Sequence, residues 1–214
     1  MVYSEKNGII ESLLNCFDNA DVHTDPYNHW LLSNTLTRKH CDRLLDLPLP
    51  PAEIKTLTGR REENNQTRIF LTSKKYSSHS ICQDLIQAFK EQQVLSKIER
   101  LCDIDISKGH LRIEYTQDVD GFWLEPHTDI GEKLFTMLVY LSSDSEPDDA
   151  GTDIFDSDHN WVGRAPFKQD NGLIFIPGSD TWHGFVKRPL AAVRRSIIVN
   201  FVTDNWRERW QLAL

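Results

Sequence analysis

The second half of the chain constrains its fold most strongly. From Gly109 onward, short segments rich in Val, Ile, Phe, Tyr and Trp alternate with clusters of Gly, Pro, Asp and Asn, a pattern that indicates strands separated by turns. We predict eight strands, at residues 111–116, 122–127, 134–141, 152–155, 161–165, 172–176, 183–186 and 194–202. Eight short strands with no helix between them are typical of a double-sheet barrel, the jelly roll.

The first half reads mainly as helix. Apolar residues recur at helical spacing between Ile9 and Phe17, and Thr37 and Ser80 are candidate N-caps of two further helices. Residues 30–32 and 67–71 suggest two strands. We therefore expect one mainly β domain of the α+β class, spanning residues 1–214. Its expected parts are a helix-rich flank with outer strands (1–108), a jelly-roll core (109–202) and a C-terminal helix (203–214).

Composition excludes some partners. The formal net charge of -8 and the sequence pI near 5.5 leave no basic surface for nucleic acid. We see no signal peptide and no apolar segment that could cross a membrane, so we expect a cytoplasmic protein without a membrane partner. The four cysteines form no C-x-x-C pair, which favours free thiols over disulfides or zinc ligands. The sequence does not indicate the oligomeric state.

The candidate metal ligands are His127, Asp129 and His183. On or just past a strand, residues 127 and 129 project to the same side, and His183 begins a later strand that can lie beside the first. Two imidazoles and one carboxylate occupy one face of an octahedral iron in non-haem oxygenases. His23-Thr24-Asp25 has the same spacing, but it precedes Pro26 in loop-like sequence and we interpret it as a polar turn.

A candidate anion anchor follows His183. On the strand that begins at Arg194, alternation places Arg194 and Ser196 on one face and Arg195 on the other. A guanidinium and a hydroxyl on the inner face could hold one carboxylate inside the barrel. Lys187, Arg188 and Arg195 remain alternatives for the same role.

Further side chains could line the cavity. Tyr140 ends a predicted strand and could donate to the same carboxylate, and Tyr115 could lie nearby, although both could equally be core tyrosines. Trp123, Trp182 and Arg68 are candidate substrate contacts, although the two tryptophans could instead be core aromatics. Arg68 belongs to a polar cluster that could face an anionic group or solvent; the cluster comprises Arg60, Arg61, Asn64 and Arg68.

Several segments together resemble one enzyme superfamily. They are Tyr115, Phe122 and residues 127–129, 136–142, 151–155, 172–177, 182–185 and 194–197, with residues 26–32 and 36–37 upstream. In order and spacing they are similar to the Fe(II)/2-oxoglutarate-dependent dioxygenases, in the prolyl-4-hydroxylase-like branch. The resemblance implies a double-stranded β-helix, which is a jelly roll. One departure is Ala150-Gly151, where the family usually has paired glycines.

The same resemblance implies the cofactors and site. Iron would bind His127, Asp129 and His183, and 2-oxoglutarate would bind Arg194 with help from Tyr140 and Ser196. The co-substrate would be O2, with ascorbate a further candidate. Because an aspartate is present at the carboxylate position, halogenation is disfavoured.

The leading functional hypothesis is a hydroxylase of a small molecule, such as an amino acid or a biosynthetic intermediate, that releases succinate and CO2. The first alternative is a prolyl-type hydroxylase of a protein or peptide side chain. The second is a non-catalytic jelly-roll protein that senses or binds iron and 2-oxoglutarate.

Overall fold

The computed structural model describes residues 5–50, 59–60, 68–72, 79–141 and 149–213. Its α-helices are α1 (Glu5–Asp18), α2 (Arg38–Leu45), α3 (Ser80–Lys90) and α4 (Gln92–Cys102). Among the residues described, no helix is long and apolar enough to cross a bilayer.

The strands form two antiparallel sheets. They are β1 (Asp21–His23), β2 (His29–Leu32), β3 (Ile69–Phe70), β4 (His110–Asp118), β5 (Leu124–His127), β6 (Lys133–Tyr140), β7 (Asp153–Phe155), β8 (Trp161–Arg164), β9 (Gly172–Phe175), β10 (His183–Phe185) and β11 (Arg194–Val202). The larger sheet has the order β1-β2-β9-β6-β11-β4-β3, and the smaller has the order β5-β10-β7-β8. The predicted β-rich α+β class and the eight strands of the second half are confirmed, with small shifts of their ends.

Alternation along the three long strands β4, β6 and β11 divides the core. One face carries apolar side chains such as Ile113, Met137 and Val199, which pack against the helices in the main hydrophobic cluster. The opposite face carries polar side chains such as Glu114 and Thr136, which are buried between the sheets. Since successive residues of a strand point to opposite faces, this division decides which residues can reach an internal site.

Of the two predicted N-cap residues, one is confirmed and one is wrong. Thr37 is the N-cap of α2, where its side chain accepts a hydrogen bond from the backbone N–H of His40, as the sequence predicts. Ser80 is the first residue of α3 and not its cap, because His79 occupies the N-cap position.

The predicted C-terminal helix at 203–214 is wrong. The segment forms only a 3-10 turn at Arg209–Gln211. Leu212 then makes a β-bridge with Arg112 of β4, and Trp206 packs with Leu212 on Val202. The chain is therefore extended at the point where a helix would have continued.

The four cysteines are free and buried, as predicted. Burial raises the pKa of the Cys16, Cys41 and Cys102 thiols to about 12 and that of Cys82 to about 11. Thiols with such values are protonated and unreactive at neutral pH.

Candidate metal centre

The side chains of His127, Asp129 and His183 converge on one point. One ligand atom of each lies within 4.8 Å of the others, and no second group of three such side chains occurs in the described part of the chain. Strand pairing produces this meeting, because His183 of β10 lies directly opposite His127 of β5. Asp129 and His183 are buried, whereas His127 is partly exposed at the mouth.

Backbone carbonyls orient both imidazoles in the same way. Nδ1 of His127 is 2.9 Å from the carbonyl oxygen of Glu125, and Nδ1 of His183 is 3.0 Å from that of Thr181. A carbonyl can only accept, so each Nδ1 carries the proton and donates it. This tautomer leaves a lone pair on Nε2, which is the arrangement found in metal-ligating histidines.

The carboxylate of Asp129 is held at both oxygens. Lys133 Nζ donates to Oδ1 at 2.8 Å, and Thr136 Oγ1 donates to Oδ2 at 2.9 Å. Asn200 in turn donates to Thr136 Oγ1 at 2.9 Å, and Arg112 donates to Asn200 Oδ1 at 2.9 Å. A buried polar chain from β4 through β11 and β6 thus fixes the orientation of this acid.

Gly184 allows β10 to approach β5 closely. A Cβ at this position would lie 2.8 Å from the carbonyl oxygen of Leu124 and 3.1 Å from that of Glu125. Any side chain would push the strands apart and move His183 away from its place opposite His127.

The three convergent side chains open into a single cavity between the two sheets. Its polar lining includes Arg68, Thr116, Asp118, Lys133, Thr136, Thr152 and Arg194, and its apolar lining is Phe122, Leu124, Leu138, Phe175, Phe185 and Ile198. A mostly apolar cleft with a few convergent polar groups is the usual form of a small-molecule site.

Arg194 lies on the inner face of β11 and lines this cavity. Its Nη1 donates to Asp118 Oδ2 at 2.5 Å, and its Nε donates to the carbonyl oxygen of Ala150 at 2.6 Å. Asp118 and Arg194 are opposite each other in the β4–β11 register. Burial raises the pKa of the Asp118 carboxyl above its ordinary value, and the positive charge of Arg194 offsets part of that rise.

The three alternatives to Arg194 as the carboxylate-binding residue do not line the cavity. Arg188 Nη1 donates to Asp153 Oδ2 at 2.6 Å, and its Nη2 donates to the carbonyl oxygen of Gly151. Lys187 is exposed, and Arg195 lies on the face of β11 opposite to Arg194. Of these four basic residues, only Arg194 lines the cavity.

Asp153 explains the position of Arg188. Burial alone would raise the pKa of its carboxyl, but hydrogen bonds from Arg188, Trp161, Arg164 and the backbone N–H of Val186 outweigh burial and hold that pKa below its ordinary value. Asp153 therefore stays ionised and keeps Arg188 at the outer side of β7.

Ser196 offers an unsatisfied polar atom beside the cavity. Its side chain is completely buried, and its Oγ has no hydrogen-bond partner among the described residues. It stands between Arg194 and Ile198 on the inner face of β11, and both of those residues line the cavity. A buried hydroxyl without a partner is costly, so a ligand carboxylate held by Arg194 suits this position.

Tyr140 lies behind the cavity and not at its surface. It faces Ser196 across the β6–β11 pair, and its ring lies 5.6 Å from the guanidinium carbon of Arg194. Its hydroxyl donates to Thr152 Oγ1 at 3.0 Å, and Thr152 itself lines the cavity. Tyr140 therefore acts on the cavity through Thr152 in the arrangement observed.

Tyr115 does not line the cavity, contrary to the sequence-based expectation. It lies on the helix-facing side of β4, opposite Ile197, and belongs to the main hydrophobic cluster. The expectation failed because a tyrosine one position from the inner-facing Glu114 and Thr116 must point the other way.

The two candidate substrate tryptophans also lie away from the cavity lining. The Trp123 indole covers Gly59, where a Cβ would come within 2.4 Å of the ring. The Trp182 ring lies against the His159 ring, with centroids 3.9 Å apart and the two planes tilted by 48°. Trp182 directly precedes His183, so alternation turns its side chain away from the metal ligands.

Arg68 is the candidate substrate residue that does line the cavity. It forms an ion pair with Glu114, which is completely buried and also pairs with Arg112. Arg61 and Asn64, which belong to the same predicted cluster, lie outside the described residues.

Three residues of the site were not predicted from the sequence. Asp118, Lys133 and Thr152 line the cavity, and each has a direct contact with Arg194 or Asp129. A signal existed for Asp118, which lies two positions beyond Thr116, the end of the predicted strand at 111–116, and shares its face because the strand continues to residue 118. Lys133 is four residues beyond Asp129 across a turn, and no periodic pattern predicts that its side chain folds back.

Among the described residues, the second His-x-Asp motif belongs to no group of three possible metal ligands. His23 Nε2 lies 3.1 Å from Asp21 Oδ2, and the His23 ring stacks on His29 at 5.0 Å between centroids. The interpretation of residues 23–25 as a polar turn is wrong for His23, which ends β1, because the bend begins only at Asp25.

Comparison with solved structures finds prolyl hydroxylases of similar fold. A prolyl 4-hydroxylase from Phytophthora capsici is 13% identical, with a TM-score of 0.61 over 95% of this chain and 68% of its own. The viral collagen prolyl hydroxylase of Paramecium Bursaria Chlorella virus-1, solved as a 2OG complex, is 16% identical, with a TM-score of 0.54 over 83% of this chain and 97% of its own.

A third neighbour is a prolyl hydroxylase from Trichoplax adhaerens, solved in complex with a peptide fragment of the hypoxia inducible factor oxygen degradation domain. It is 12% identical, with a TM-score of 0.59 over 92% of this chain and 90% of its own. No protein-family model and no curated protein sequence matches the chain. The chain thus has a prolyl 4-hydroxylase-like fold, and its chemistry is inferred from the cavity.

Proposed function

We propose that the chain is an Fe(II)- and 2-oxoglutarate-dependent dioxygenase that hydroxylates a C–H bond of a small molecule, with succinate and CO2 as co-products. The observation that carries this proposal is a single cavity lined by His127, Asp129 and His183 together with Arg194. The prolyl 4-hydroxylase-like fold supports the same reaction class.

The donor set fits the metal. Two neutral imidazoles and a carboxylate are the ligands of non-haem Fe(II) oxygenases, and Nε2 of His127 and His183 with a carboxylate oxygen of Asp129 would hold the ion. When bound, Fe(II) with 2-oxoglutarate supplies the activation of O2 that hydroxylation of an unactivated C–H bond requires.

The cavity also fits the dicarboxylate. Arg194 would bind the carboxylate distant from the metal, because it is the one of the four candidate basic residues that lines the cavity. Ser196 Oγ would donate the hydrogen bond that it lacks among the described residues. The apolar walls formed by Phe175, Phe185 and their neighbours exclude water and strengthen these charged contacts.

The rest of the chain keeps the ligands in place. Lys133 and Thr136 hold both oxygens of Asp129, and the carbonyls of Glu125 and Thr181 hold the two histidines. Such outer contacts set ligand orientation and metal affinity.

A peptide prolyl hydroxylase is the second candidate. It is favoured by the Trichoplax neighbour, whose structure contains a peptide fragment. The small-molecule reading is favoured by the charged residue Arg68 inside the cavity, where the side chain of a peptide would have to enter. A non-catalytic sensor is the third candidate, and it would bind iron and 2-oxoglutarate without turnover.

The test is succinate formation by the purified chain with Fe(II), 2-oxoglutarate and O2, with and without ascorbate. We expect metal-dependent succinate release in the wild type and none in Asp129→Ala. Acceleration by free amino acids would support the small-molecule reaction, whereas acceleration by prolyl peptides alone would support the second candidate. Absence of succinate despite bound Fe(II) and 2-oxoglutarate would favour the sensor.

A further inference from the structure

Arg68 brings a positive charge into the cavity that the metal and the dicarboxylate do not require. It directly precedes β3, whose Ile69 pairs with Tyr115 of β4, and its side chain is 10% exposed. Arg68 and Arg194 line the same cavity.

The other acids of the cavity wall already have cations of their own. Asp129 pairs with Lys133 at 2.8 Å, and Asp118 pairs with Arg194 at 2.5 Å. Each of these pairs is close to neutral as a unit, so neither supplies a negative charge dedicated to Arg68.

The partner of Arg68 is shared. Glu114 pairs with both Arg68 and Arg112, so two guanidinium groups meet one carboxylate. Arg112 is fixed away from the cavity, because its Nε donates to Gln211 at 2.7 Å and its Nη1 donates to Asn200 at 2.9 Å. Of the two arginines that share Glu114, Arg68 is therefore the one that lines the cavity.

The proposed cofactors do not compensate the charge of Arg68. Fe(II) carries two positive charges and 2-oxoglutarate two negative charges, so their joint entry does not change the net charge of the cavity. Arg68 shares the carboxylate of Glu114 with Arg112, and a cation beside apolar wall residues interacts strongly with a ligand anion, because the local dielectric is low.

We propose that Arg68 binds an anionic group of the primary substrate, a carboxylate or a phosphate, on a substrate that carries one such group and an apolar body. Phe122, Leu124 and Phe185 would contact the apolar part. Bidentate pairing of arginine with carboxylate or phosphate supplies both affinity and orientation. This proposal rests on the proposed function and assigns its substrate class.

The experiment uses the full chain loaded with Mn(II) and saturating 2-oxoglutarate, which holds the site without turnover. Isothermal titration calorimetry measures the Kd values of benzoate, phenyl phosphate and benzamide, which share a ring and differ in charge. We expect at least one of the two anions to bind tenfold or more tightly than benzamide. Whichever anion binds more tightly identifies the substrate group as carboxylate or phosphate.

Variants then locate the anion. Arg68→Met should weaken binding of the preferred anion at least tenfold and weaken binding of 2-oxoglutarate by a smaller factor. Arg68→Lys, which keeps the charge, should bind the preferred anion with a Kd between those of wild type and Arg68→Met. Arg207→Met, at an exposed position, should bind that anion as the wild type does. Should Arg68→Met not fold, Arg68→Lys and the comparison of the three probes on wild type still decide.

Benzamide binding as tightly as both anions would overturn the proposal, as would unchanged anion binding by folded Arg68→Met. Failure of the wild type to bind 2-oxoglutarate with Mn(II) is a separate result, which would refute the proposed function instead.

Discussion

Replacing Asp118 by asparagine tests how the cavity receives a dicarboxylate. Asp118 lies opposite Arg194 in the strand register and accepts a hydrogen bond from its Nη1 at 2.5 Å. A second carboxylate on the same guanidinium would stand about 5 Å from the first. At an effective dielectric constant of about 20, two unit charges at that distance repel by about 3 kcal/mol.

We therefore expect Asp118→Asn to bind 2-oxoglutarate more tightly than the wild type. The gain should be at least tenfold, and the Coulomb figure sets its upper range at roughly a hundredfold, since about 1.4 kcal/mol corresponds to tenfold. The asparagine keeps a side-chain oxygen for Arg194 but carries no charge.

The pH dependence of 2-oxoglutarate binding tests the repulsion from Asp118 independently. Burial raises the pKa of Asp118 above its ordinary value of 3.8, and Arg194 and Arg68 offset part of that rise. A bound dicarboxylate adds negative charge beside Asp118 and raises its pKa further, so the complex takes up protons. Affinity for 2-oxoglutarate should therefore increase as pH falls toward that pKa and decrease as pH rises above it.

The raised pKa of Asp118 also makes the stability of the folded state depend on pH. Because the pKa of Asp118 is higher in the folded than in the unfolded chain, the folded state holds more protons, and the contribution of Asp118 to stability decreases as pH rises from about 3.8 through the raised pKa. Asp118→Asn should lack this component of the pH dependence.

The assay is calorimetric titration of 2-oxoglutarate into Mn(II)-loaded protein across a pH series, in buffers of different ionisation enthalpy that report proton uptake. Asp158→Asn, at an exposed position, is the matched control and should behave as wild type. Equal or weaker binding by folded Asp118→Asn, with wild-type proton uptake, would refute the reasoning.

Three further outcomes are expected. Lys133→Met should lower the apo melting temperature by roughly 6–20 °C, since an unpaired buried charge costs about 3–5 kcal/mol, and Mn(II) should restore more of the loss than the metal adds to wild type; equal metal-induced shifts would contradict this. Arg194→Met should weaken 2-oxoglutarate binding at least thirtyfold, consistent with about 2–5 kcal/mol for truncating a buried charged contact, whereas Arg188→Met should keep the Kd of 2-oxoglutarate within twofold of wild type. The reverse order in calorimetry would show that Arg188, and not Arg194, binds the dicarboxylate. Tyr115→Phe should leave the Kd of 2-oxoglutarate unchanged, and a tenfold loss would show that this tyrosine reaches the cavity after all.

Strand alternation accounts for most of what the sequence could predict about the site. It placed Arg194 and Ser196 on one face of β11 and Arg195 on the other, and the structure has that arrangement. His127 and His183 were expected on neighbouring strands, and they are directly opposite each other.

The same rule explains the failure at Tyr115. A register difference of one residue reverses the face of a strand, and the resemblance to a family motif does not fix the register of this strand. Only the pairing of β4 with β11 places Glu114 and Thr116 inside and Tyr115 outside.

The sequence could not predict contacts across turns or between distant segments. Lys133 meets Asp129 because a turn at residues 131–132 reverses the chain between them. Asp153 binds Arg188 across 35 positions in the sequence, and no local pattern reveals that this pairing removes Arg188 from competition with Arg194. The C-terminal segment is extended because Leu212 bonds to β4, which is likewise a tertiary effect.

The most direct measurement is a crystal structure of the chain with Mn(II) and 2-oxoglutarate, with anomalous diffraction data collected for manganese. We expect one anomalous peak within coordination distance of Nε2 of His127, Nε2 of His183 and a carboxylate oxygen of Asp129, with the far carboxylate of 2-oxoglutarate on Arg194. A metal peak away from these three side chains, or a dicarboxylate bound to Arg188 with Arg194 still closed on Asp118, would contradict the proposed site.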